Sequence, residues 1–140
     1  MRRLLQRVCG RTLLLACLCF PASARWNASY EGASPDVRGW FYGQRMTAET
    51  QRRLGVTFDS CCTAGDVYKT RFRVVTDGSK YGRDEWQYEK DGVWLSIPPD
   101  IIERTETPTG EPVLFLFAYK DHPEIKKDTP VCFKLPPTKG

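Results

Sequence analysis

The chain has 140 residues, with 21 lysines and arginines against 17 aspartates and glutamates, and four of the arginines crowd into the first eleven residues, where no acid stands. Beyond residue 24 the basic and acidic side chains balance at 17 each, which excludes the basic footprint of a nucleic-acid binder. The length suffices for one domain with a single core.

Met1 to Arg11, the apolar run Thr12 to Phe20 and the Ala22-Ser23-Ala24 site form the charged, apolar and small-residue regions of a secretory signal peptide. Residues 1–24 are therefore expected to be cleaved after Ala24, leaving an exported protein, periplasmic or secreted. The apolar run is well short of the roughly 20 residues a membrane-spanning helix needs, and no later stretch qualifies. Cys9, Cys17 and Cys19 leave with the signal, so Cys61, Cys62 and Cys132 remain, an odd number in an oxidising compartment.

Residues 25–45 are rich in small and polar side chains and are expected to form an irregular N-terminal arm. Asn27-Ala28-Ser29 is a formal glycosylation sequon, meaningful only in a eukaryotic secretory pathway. Thr47 to Leu54 reads as a short helix, with Thr47 as N-cap, Glu49 in the first turn, Arg52 and Arg53 in the last, and Gly55 as the stop.

After the cysteines the period becomes two. From Val67 to Thr76, Tyr68, Phe72 and Val74 share one face and Lys69, Arg71 and Arg73 the other, as in one half-buried strand. In Asp84 to Asp100, an Asp91-Gly92 type I′ turn pairs Lys90 with Val93, Tyr88 with Leu95 and Trp86 with Ile97. That register places Trp86, Tyr88, Val93, Leu95 and Ile97 on one face, and Trp94 among Glu85, Gln87, Glu89 and Ser96 on the other. Ile97-Pro98-Pro99-Asp100 must leave the ladder, because prolines cannot donate to it. Thr105 to Pro112 reads as a loop, Val113 to Tyr119 as a strand buried on both faces, and Val131 to Leu135 as a last short strand.

The expected fold is mainly β: a small antiparallel barrel or curled sheet with one short N-terminal helix, similar to SH3-like barrels in strand order. Residues 46–137 would form a single disulfide-stapled domain and 138–140 a tail.

The chemical candidates are few. Consecutive Cα atoms lie about 3.8 Å apart, too close for an unstrained disulfide, so either Cys61 or Cys62 is expected to bridge to Cys132. The spare thiol is then a buried filler, a reactive centre or the link of a covalent dimer. His122, with Asp121 and Glu124, is the only histidine and sits in a turn, where solvated surface is the usual state rather than a metal site. Carboxylate neighbours such as Asp84 with Glu85, or Asp59 with Asp66, have no spacing that implies a catalytic pair. No nucleophile elbow or phosphate loop accompanies them, and no cofactor is implied.

Two surface features remain. Lys69, Arg71 and Arg73 either meet an anionic partner or form a ladder with Glu85, Gln87 and Glu89. Trp94 is either an anchor for a protein or envelope polymer, or is covered by the Thr47–Leu54 helix or by Trp40-Phe41-Tyr42.

Ser60-Cys61-Cys62, Gly92-Val93-Trp94, Ile97-Pro98-Pro99-Asp100, the Pro108-to-Pro112 loop and Cys132-Phe133 before Pro136-Pro137 together resemble a group of small exported bacterial proteins, mostly alphaproteobacterial. The resemblance spans 58–137 and leaves out the helix. Similar proteins often carry a further cysteine near the penultimate strand, where this chain has Phe115 to Phe117. The resemblance implies export and a disulfide-stapled β domain, and no activity. The expected function is a non-enzymatic binding module; the alternatives are an inhibitor of a secreted hydrolase such as a lysozyme, and a thiol or redox protein.

Overall fold

The computed structural model describes residues 32–76, 84–118 and 120–138. The signal peptide, the Asn27 sequon, the Asp77-Gly78-Ser79 end of the second strand, Tyr119 and the last two residues of the tail lie outside the described residues.

The protein is mainly β, with seven strands in two sheets and three short helices among the described residues. In chain order these are α1 (Pro35–Gly43), α2 (Ala48–Leu54), α3 (Cys61–Ala64), β1 (Gly65–Tyr68), β2 (Phe72–Val75), β3 (Glu85–Lys90), β4 (Val93–Ser96), β5 (Ile102–Arg104), β6 (Val113–Phe117) and β7 (Pro130–Leu135). The four-stranded sheet has the order β1-β6-β7-β5 and the three-stranded meander the order β2-β3-β4. Among the described residues the strands close no barrel, and β5 runs parallel to β7, a pairing that the meander expectation did not contain.

The four-stranded sheet lies between two apolar clusters because its central strands are apolar on both faces. Val113, Phe115 and Phe117 pack with Phe41, Met46, Val56 and the cysteines on the helical side. Leu114, Leu116, Phe133 and Leu135 pack with Tyr88, Ile97 and Ile101 on the side of the meander. A bulge carries the alternation across β7: Phe115 faces Cys132 and Leu116 faces Pro130, so Val131 is the extra residue. Val131 and Cys132 accordingly both join the helical cluster.

Two local expectations are corrected. Residues 25–45 are not irregular throughout: Ser34 Oγ accepts from the Val37 amide at 3.4 Å, Pro35 occupies the first turn, and α1 follows. Its Phe41 is fully buried, with its ring 6.3 Å from that of Phe115, so tertiary packing decides the helix. Val67 to Thr76 is not one strand either. Val67 belongs to the helical cluster and Tyr68 to the meander side, and the chain then crosses between sheets before β2.

The two best-defined sequence signals hold. Thr47 caps α2 through a 3.0 Å bond from the Thr50 amide, and Gly55 ends it. Asp91 and Gly92 have φ of 52° and 76°, the doubly positive pair of a type I′ turn, and Lys90 faces Val93 and Tyr88 faces Leu95 as expected.

Candidate functional site

The vicinal cysteines sit in one turn of helix rather than in extended backbone, with Ser60 Oγ accepting from the Thr63 amide at 3.2 Å. Cys61 reaches Cys132 in a disulfide with its Cα atoms 6.0 Å apart, closing a loop across a sequence separation of 71. The residue after the turn explains why a glycine follows Cys-Cys-Thr-Ala. A Cβ on Gly65 would stand 2.2 Å from the Leu116 carbonyl oxygen, so only glycine lets β1 meet β6 directly after α3.

Cys62 is free, buried, and donates from Sγ to the Phe41 carbonyl at 3.2 Å. Burial, with Asp66 adding to it, pushes the thiol up to about 11, so it is protonated at neutral pH. A nucleophilic or metal-binding cysteine needs the thiolate, and a covalent dimer needs an accessible sulfur. Cys62, itself on α3, packs its sulfur against the end of α1 within the helical cluster.

Further polar groups, unmarked by any periodicity or motif, are built into the packing. Lys134 is 2 % exposed on β7, yet its Nζ donates to the Arg45 carbonyl at 2.7 Å and pairs with Glu103. Asp100, in the 3-10 turn Pro99–Ile101, receives Arg53 Nε at 2.7 Å and Thr50 Oγ1 at 3.2 Å, while Thr47 Oγ1 donates to its backbone carbonyl at 2.8 Å. The Ile-Pro-Pro-Asp stretch is thereby a strap that ties the meander to α2. An alternation pattern cannot signal these contacts, because they join residues 31 to 89 positions apart.

The remaining candidate residues separate. His122 bonds Glu124 at 2.7 Å on the surface, and among the described residues no three His, Cys, Asp or Glu side chains are grouped to hold a metal. Asp59 pairs with Arg45 at 3.6 Å, and Glu85 is buried beneath bonds from Gln87 and Ser96. An open cleft of about 400 Å³, with Val74, Trp86, Ile97, Ile102 and Leu135 as walls and Arg104 at its side, lies between the meander and the β5 edge.

Trp94, Arg71 and Arg73 do come together, on the face of the meander turned away from the four-stranded sheet. The indole is half-buried and belongs to neither apolar cluster, the one that contains Phe41 included. The guanidinium of Arg73 lies 4.4 Å from the ring centroid and that of Arg71 5.8 Å, a cation–π arrangement. Both are held from the side: Arg71 pairs in fork geometry with Glu89 at 2.5 and 2.6 Å, and Arg73 Nε donates to Gln87 at 2.8 Å. Two rungs of the expected ladder are present, Arg71 with Glu89 and Arg73 with Gln87, and they position the two arginines on Trp94, while Glu85 accepts from Gln87 and Ser96. The bond with Glu89 raises Arg71 above the usual guanidinium range and lowers Glu89 below the usual carboxylate range. Lys69 stands apart, in the link between β1 and β2.

Compared with family models, curated proteins and solved structures, the chain matches none. Among the described residues no helix is long and apolar enough to cross a membrane.

Proposed function

We propose that this protein is an exported, non-catalytic binding module whose contact surface is the outer face of the meander around Trp94. One observation carries the reading: an indole outside both apolar clusters, with two guanidinium groups fixed over it by side chains of the neighbouring strand. Arg71 is neutralised by Glu89, whereas Arg73 has only the neutral Gln87 beside it and no carboxylate partner among the described residues. An ordered guanidinium of this kind can take a carboxylate or other oxyanion through its remaining N–H groups, and the ring beside it supplies rigid apolar area. The chemistry suits an acidic group displayed on a protein or an envelope polymer.

Export is part of the same proposal, supported by the layout of residues 1–24 and by the Cys61–Cys132 bridge, which suits an oxidising compartment. The resemblance to small exported bacterial proteins points the same way. The protonated, enclosed Cys62 gives the thiol reading no support.

The test is cross-linking and affinity capture from the exported fraction of the source cells, comparing the wild type with Trp94→Ala and Arg73→Ala. Both variants are expected to remain folded and to lose the same partner. An identical set of captured molecules for all three would refute the proposal.

A further inference from the structure

Two open sheets present four edge strands, and these differ in how they are guarded. β1 carries Asp66, β2 carries Arg73, and β5 carries Glu103 and Arg104; charged side chains on an edge oppose pairing with another chain. β4, Val93-Trp94-Leu95-Ser96, has no charge and no proline, and among the described residues it pairs with β3 alone. Its register with β3 contains no bulge.

The side chains and backbone of β4 are both turned to accept a neighbour. Val93 is 56 % exposed and Leu95 38 %, and both stand on the inner face of the meander, beyond the cover of the four-stranded sheet. The two-residue turn makes Val93 and Leu95 the residues that exchange backbone bonds with β3. The Ile97 amide continues that series to the Trp86 carbonyl at 2.8 Å. The amides and carbonyls of Trp94 and Ser96 therefore point out of the sheet, toward the free edge. The indole is engaged from the β2 side, where the Arg73 guanidinium lies 4.4 Å from its centroid.

We propose that β4 is a dimerisation edge. Two copies of the chain pair β4 with β4, antiparallel about a two-fold axis at Trp94, and merge their meanders into one six-stranded sheet. The sequence of the strand is self-complementary in that register. Trp94 exchanges its N–H and C=O with Trp94 of the other copy, Val93 of each stands opposite Leu95 of the other, and Gly92 stands opposite Ser96. The two exposed apolar side chains thus cover each other on one face, and no like charges meet across the axis. The two β2 backbones that carry Arg73 end about 24 Å apart, five strand spacings. A four-residue edge buries far less than the roughly 1,600 Å² of a standard interface, so the dimer is weak and concentration-dependent. This inference stands whatever the outer face binds.

The test is sedimentation velocity of the full mature chain from micromolar to millimolar concentration, with backbone amide exchange followed by NMR over the same range. The sedimentation coefficient is expected to rise with concentration. In dilute solution the Val93 and Leu95 amides should be protected and those of Trp94 and Ser96 should exchange freely; at high concentration the latter two should slow by about tenfold or more. Val93→Lys and Leu95→Lys each place a guarding cation on the edge and should abolish both changes, while retained protection of Tyr88 shows that the meander is still folded. Monomeric behaviour at millimolar concentration would overturn the proposal. So would a dimer in which Trp94 exchange is unchanged, or one that survives both lysine variants.

Discussion

The two sides of the four-stranded sheet are held by different means. On the helical side, three short helices are fastened by a covalent bridge from α3 to β7, by Cys62 bonded to the end of α1, and by Lys134 reaching the Arg45 carbonyl. On the other side the meander meets the sheet through apolar contact, with Phe72 and Trp86 ring centroids 5.1 and 5.6 Å from Phe133. Its polar tie is the Asp100 strap to α2, and among the described residues no disulfide crosses. Among the described residues no helix exceeds nine residues, too short to persist alone, so their side needs fastening. A hairpin with a well-formed type I′ turn and a third paired strand forms more of its own structure and needs only a floor. That difference leaves the outer face of the meander and the β4 edge open to solvent, which is where both proposed contact surfaces lie.

The disulfide carries the largest share of the difference between the two sides. Replacing Cys61 and Cys132 together with serine should lower stability by about 4 kcal/mol, from loop-closure entropy for a bridge across 71 positions. Chemical denaturation measures the loss. Amide exchange should show the helical side opening first, with β3 and β4 still protected; simultaneous loss of both sides would mean that the sheet does not insulate them.

A smaller effect is expected at the strap. Asp100→Ala removes the acceptor for Arg53 and Thr50 at a site that is 12 % exposed, and should cost about 2 to 3 kcal/mol for bonds to a charged group. The loss should fall on the meander, seen as faster exchange at Tyr88 and Ile97, with the Cys61–Cys132 bridge intact. Unchanged exchange there would assign the strap to α2 alone.

The smallest effect belongs to Cys62, and it sharpens the account of the helical side. The folded thiol titrates near 11, above the ordinary value of 9.0, so folding is favoured while the thiol is neutral in both states. That contribution is complete below about pH 9 and is lost as pH rises through about 11. In denaturation curves from pH 8 to pH 11, the wild type should fall more steeply than Cys62→Ala. Parallel slopes would show that the thiol is not buried in solution.

Much of the local architecture was legible from residue order. The Asp-Gly turn set the hairpin register because its φ requirements admit few residues, and the Thr47 cap and Gly55 stop bounded α2 for the same kind of reason. The even burial of Val113 to Phe117 was visible as an unbroken apolar run. The candidate site was half legible. Trp94 stood out as an aromatic on a polar face, and the arginine row as its possible companion, but the pattern of one strand pair could not say whether a helix or a guanidinium would cover the ring.

Periodicity, turn chemistry and cysteine count are local properties of the chain, and by themselves they determined a mainly β protein with a defined hairpin, a two-sided central strand and one cysteine too many. The choice of Cys61 over Cys62, the crossing of the chain between sheets after Tyr68, the parallel seat of β5 beside β7 and the helix over residues 35–43 were decided only in the tertiary structure. Each depends on a contact between residues far apart in sequence, where the energy comes from burying both partners at once, and neither partner carries that information alone.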